Sequence, residues 1–96
     1  MAGDKPQSKE RYILKLYVSG MSFRSIAAIE NIRHFCEKHL KNRYDLEIVD
    51  LYKSRATAHE QQIIFSPSLV KQWPLPRKTL IGTFSDEEAV KKGLGL

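Results

Sequence analysis

Residues 12–40 read YILKLYVSGMSFRSIAAIENIRHFCEKHL, which divides into a strand, a glycine turn and a long helix. From Tyr12 to Val18 the one charged side chain is Lys15, and so continuous an apolar run suits a central strand covered on both faces. Ser22 is placed to cap the helix, with Met21 and Ile26 at the staple positions that fix the chain's angle of entry. Ile29, Ile32, Phe35, Cys36 and Leu40 form a stripe at helical spacing, and Glu30, Arg33, Glu37 and Lys41 mark the wet side. The helix therefore packs on the sheet and opens a right-handed βαβ unit.

Beyond the helix, His39, Lys41 and Arg43 place positive charge near unpaired carbonyls, and Asn42 suits the left-handed conformation that ends a helix. In residues 44–51, YDLEIVDL, Leu46 and Ile48 alternate with Asp45 and Glu47. That is a second strand, parallel to the first because a helix joins them. Residues 54–62, SRATAHEQQ, hold a cap candidate and helix formers, with Ala56 and Ala58 as their apolar surface, and read as a short helix. Residues 63–70, IIFSPSLV, form a third strand with Pro67 at its head, where the missing N–H costs no ladder bond. The Ser66–Pro67 bond is a cis candidate. WPLP at 73–76 then breaks the chain, and TLIGTF at 79–84 becomes the antiparallel neighbour of the third strand. Ser85 with Glu88 reads as a capping box. Asp86, Glu87 and Glu88 fill the first turn, Lys91 and Lys92 the last, and Gly93 stops the helix. The order βαβαββα predicts an α/β, thioredoxin-like domain with a central mixed sheet and helices on both faces.

A chain of 96 residues makes one domain, here residues 10–96 behind a polar lead, 1–9, expected to be disordered. The charge is +5 with 28% charged residues, but the basic side chains are scattered, which favours a solvated surface over a nucleic-acid footprint. A single cysteine excludes an internal disulfide, and Cys36 on the apolar stripe reads as a small buried hydrophobe. No run approaches the roughly 18 apolar residues of a membrane span, and residues 1–9 lack a signal-peptide core. A cytoplasmic protein is expected.

Redox enzymes of this fold carry a thiol at the turn into the first helix, where the helix N-terminus stabilises a thiolate. Here that turn is Gly20, Met21, Ser22, Phe23, Arg24 and Ser25. His34, His39 and His59 lack metal-ligand spacing, and Asp50 and Glu60 read as surface carboxylates. No catalytic residue, metal or cofactor is expected. Two other readings stay open at this point. One is a glutathione-binding or otherwise catalytic thioredoxin-fold enzyme using Ser22 or Ser25 as hydroxyl donors; the other is a basic nucleic-acid binder.

The fragments LKLYVSG, EKHL, EIVDLYK, SPSLVK, WPLPRK and LIGTFSDEEAVKKGLGL, in this order and without a gap over residues 12–96, resemble the KaiB family of cyanobacterial clock proteins. The resemblance implies a non-enzymatic adaptor that binds the ring of a KaiC-type ATPase and helps to sequester a KaiA-like protein. It further implies competition with a SasA-type histidine kinase for the same ring. It also implies two folds, a tetramer and a thioredoxin-like monomer that binds; in the tetramer the chain near the end pairs as a strand. By position, Gln62, Ser66, Pro67, Lys71 and Lys78 fall on the implied partner surface, and Gly93 and Gly95 at places to which the balance of folds is sensitive. Ala27, Glu47 and Gln62 stand where clock members have basic residues, and Gly95 where many have aspartate. A divergent homologue is expected, predominantly monomeric with a minor tetramer, binding neither nucleic acid nor membrane.

Overall fold

The computed structural model describes residues 10–53 and 67–96. The expected lead at 1–9, the expected helix at 54–62 and the first residues of the expected third strand, 63–66, lie outside the described residues. The elements are β1 (Tyr12–Val18), α1 (Phe23–His39), β2 (Tyr44–Asp50), β3 (Ser68–Trp73), β4 (Lys78–Ile81) and α2 (Glu87–Gly93). They form one mixed sheet in the order β2-β1-β3-β4. β1 pairs parallel with β2 and antiparallel with β3, and β4 runs antiparallel beside β3. The apolar run of residues 12–18 is thus an interior strand, as its pattern predicts.

Alternation along β1 divides the sheet into two faces. Tyr12, Leu14, Leu16 and Val18 point to one of them and meet Ala28, Ile29, Ile32, Phe35, Cys36 and Leu40 of the α1 side, together with Leu69 and, from α2, Val90 and the cap residue Leu94. Both described helices therefore close the same core. Tyr17, on the opposite face, is fully buried as well. Ser22 caps α1, its hydroxyl accepting from the Ser25 amide at 3.2 Å. Asn42 takes a φ of +65° just past the helix. The staple does not form as expected: Met21 is 68% and Ile26 39% exposed.

Three boundaries differ from the sequence reading. Trp73 is the last residue of β3 and not part of a break, pairing with Ile13 across a register shift between Ile13 and Leu14. β4 starts at Lys78 and ends at Ile81, short of the expected Phe84, because Gly82 at φ +129° and Phe84 at φ +62° turn the chain out of the ladder. The helix cap is Asp86, which accepts from the Ala89 amide at 3.2 Å, and not Ser85. The helix also passes through Gly93. The stop itself is made two residues later, where Gly95 at φ +77° donates to the Lys92 carbonyl and Leu96 to the Lys91 carbonyl, the paired bonds of a Schellman stop. Among the described residues no helix is long and apolar enough to cross a membrane.

Candidate partner-binding site

The described residues among those singled out from the sequence lie on the β3–β4 half of the sheet and at the end of α2. Pro67 precedes β3 and is buried, its carbonyl accepting from the Gly82 amide at 3.1 Å. Gln62 and Ser66 lie outside the described residues, and so does one end of the candidate cis bond before Pro67; cis bonds occur at Trp73–Pro74 and Leu75–Pro76. Lys78 opens β4 and is exposed. Lys71 is its cross-strand partner, yet the two lysines sit in opposite environments.

Lys71 is only 4% exposed. It follows Leu69 at strand spacing, so alternation turns it toward the core, where its ammonium lies 5.8 Å from the ring centroid of Tyr12. The Arg43 guanidinium approaches the same ring at 5.9 Å, so the ring faces two cations within cation–π range. The Tyr12 hydroxyl reaches the Leu94 carbonyl at 3.5 Å, and burial, more than any charge, raises its pKa. Lys71 thus belongs to the seam between β1, β3 and the end of α2, which corrects the expectation that it offers an exposed charge.

Gly93 faces Leu80 so closely that a Cβ there would meet Leu80 Cδ2 at 2.5 Å. Glycine lets the last turn of α2 lie flat on β4. At the other end of α2, Glu87 is held by Lys38 at 2.9 Å and His39 at 2.6 Å. Hydrogen bonds from Lys38 and then His39 lower the Glu87 carboxyl to about 2. Asn31 adds a bond to the Thr83 carbonyl at 2.9 Å, so α1 grips both the loop before α2 and its first turn. Sequence reading missed this clasp, since residues 38 and 87 become neighbours only through the packing of two helices on one face.

At the carboxyl ends of β1 and β2, one oxygen of Asp50 accepts from the amides of Gly20, at 3.1 Å, and Tyr52, at 2.9 Å. Asp50 is therefore a bolt between two turns and not the free surface carboxylate expected. The turn into α1 presents Ser22 and Ser25, with Ser22 Oγ donating to Ser25 Oγ at 3.1 Å. Cys36, the one thiol, is fully buried, and desolvation raises it to about 12, which keeps it protonated and unreactive. No group of three or more metal-ligating side chains occurs among the described residues.

Over residues 15–96 the chain matches the family model described as the KaiB domain. It is 40% identical over 86 residues to the circadian clock protein KaiB3 of Synechocystis sp., covering 90% of this chain and 84% of that one. To the circadian clock oscillator protein KaiB of Synechococcus elongatus it is 38% identical over 88 residues, covering 92% and 86%. Among solved structures it resembles the N-terminal domain of Synechococcus elongatus SasA, with a TM-score of 0.72 at 16% identity over 88% of this chain and 84% of that one. The Drosophila melanogaster thioredoxin Deadhead follows at 0.70 and 11% identity, over 93% and 83%. The structural likenesses establish a thioredoxin-like fold.

Proposed function

The chain belongs to the KaiB family, and on that premise we propose that it is a non-enzymatic adaptor which binds the ring of a KaiC-type ATPase in a clock or a related signalling pathway of the cytoplasm. The observation that carries the reading is a KaiB-family sequence in the same fold as the SasA N-terminal domain. Two proteins that share a fold and compete for one ring are expected to offer it a common shape. A KaiA-like protein and a SasA-type kinase are then the further partners, the first recruited and the second displaced.

The contact surface we assign runs along β4 and the end of α2, with Lys78 on it and the buried Pro67 and Lys71 beneath it as support. Exposed charge at Lys78 acts mainly on the rate of encounter. Gly93 and Gly95 set how readily this half keeps its thioredoxin-like arrangement. The test is capture of a purified KaiC-type ring by the immobilised chain, with the SasA-type kinase domain as competitor. Saturable capture that the kinase domain displaces supports the adaptor reading. Failure to bind any such ring, with the fold intact, refutes it.

A further inference from the structure

Three large apolar side chains stand in water where β1 enters α1: Phe23 is 92%, Tyr52 71% and Met21 68% exposed. Tyr52 lies against Gly20, where an added Cβ would be 3.0 Å from its ring, and the Asp50 carboxylate fixes the amides of both residues. Exposed apolar side chains gathered in one region of a surface and rimmed by polar residues mark an interaction site.

The charges around the cluster say what the cover is. Arg24 and Lys53 flank it, both exposed and both without an ion pair among the described residues. The first turn of the 17-residue α1 holds no acidic residue, so the positive end of its dipole is uncompensated. The nearby acid, Asp50, is committed to two amides. A second copy of a chain carrying +5 would bring like charge to a basic rim. We propose that Met21, Phe23 and Tyr52 form a docking surface for an acidic protein segment carrying apolar side chains, with Arg24, Lys53 and the start of α1 receiving its carboxylates. Lys78 lies in the cross-strand row of Lys71 and Leu14, toward the amino end of β1, whereas Gly20 follows the carboxyl end of that strand, so this surface is remote from Lys78 and adjoins the ring surface only at Pro67, which precedes Ser68, the partner of Tyr17.

The experiment uses the full chain and a short fluorescein-labelled peptide that alternates glutamate with leucine and phenylalanine, beside the same peptide with lysine for glutamate. Anisotropy should show saturable, salt-sensitive binding of the acidic peptide, and amide resonances of Gly20, Phe23, Arg24 and Tyr52 should move. Phe23→Ser and Tyr52→Ser should each weaken it about tenfold or more, as loss of an aromatic anchor does, and Phe23→Ser should leave the melting curve of so exposed a site unchanged. Arg24→Glu should weaken it too, while Lys78→Glu should not. The proposal is overturned by equal binding of the lysine peptide, by no saturable binding, or by resonance shifts confined to β3 and β4. It is equally overturned if light scattering finds a dimer that Phe23→Ser dissolves, since the cover would then be a second copy.

Discussion

The ammonium of Lys71 rests 5.8 Å from the centre of the Tyr12 ring, joining the third strand to the first beneath the end of the last helix. Its four-carbon stem is buried with it, so this lysine works as a packing residue that carries a charge. Its neighbour across the ladder, Lys78, is in water.

The two lysines should accordingly separate stability from recognition. Lys71→Ala removes a buried stem and a cation–ring contact and should cost about 2 kcal/mol, whereas Lys71→Met, which keeps the stem, should cost about 1 kcal/mol. Lys78→Glu should leave stability within about 0.5 kcal/mol while slowing association with the ring. Urea melts beside stopped-flow binding make the comparison; equal stability of Lys71→Ala and the parent would contradict the seam.

Ile32 is fully buried in the middle of the α1 stripe. Ile32→Ala should cost about 2 to 5 kcal/mol, a transfer loss plus a cavity that the rigid strand behind it cannot close. For a domain stabilised by about 5 to 15 kcal/mol that is a large fraction. Calorimetry reads it directly, and an unchanged melting temperature would mean that α1 presents another face to the sheet.

Acid should loosen the clasp between the helices. Glu87 is lowered from its ordinary 4.5 to about 2 by hydrogen bonds from Lys38 and then His39. A carboxyl depressed in the folded state stabilises it above the ordinary value, and the contribution is lost as pH falls from about 4.5 toward about 2. Glu87→Gln should therefore lower the melting temperature at neutral pH by a few degrees at most, the pair being largely solvated. It should also flatten the fall in stability across that acid window. Parallel pH curves for variant and parent would remove Glu87 from the clasp.

How much of this was legible depended on distance along the chain. The β1 run, the α1 stripe, the Ser22 cap and the parallel pairing of β2 are periodic or local signals, and each holds in the structure. The cap of α2 was misplaced by one residue because Ser85 and Asp86 are both good caps. Their choice is made by the positive φ of Phe84 and by the bond from Asn31 to Thr83, which tie the loop to a helix far away in sequence. Lys71 did leave a signal, since it follows Leu69 at a spacing of two, on the core face; its charge argued the other way, and the Tyr12 ring that accommodates the charge comes from a different strand. Half of the bolt at Asp50 is local, the Asx-type bond from the Tyr52 amide two residues on, but the bond from Gly20 left no local signal, because it exists only when β1 and β2 lie side by side.

Gly95 should decide how firmly the chain holds its thioredoxin-like arrangement. At φ +77°, with its amide on the Lys92 carbonyl and that of Leu96 on the Lys91 carbonyl, it occupies the left-handed position of a Schellman stop, for which glycine is the favoured residue. Nothing lies within 4 Å of where its Cβ would be, so a substitution there acts through the backbone and not by collision. Gly95→Ala should cost about 1 kcal/mol, and Gly95→Asp somewhat less, because aspartate tolerates the left-handed region better. The stop secures α2 as a helix, and α2 closes the core through Val90 and Leu94; an arrangement in which this end of the chain pairs as a strand would forgo both. The parent should therefore be predominantly monomeric, and loss of the stop should raise the share of any tetramer. Light scattering with backbone chemical shifts on the parent and both variants reads the balance. A tetrameric parent, or an alanine variant as stable and as monomeric as the parent, would sink this account of Gly95.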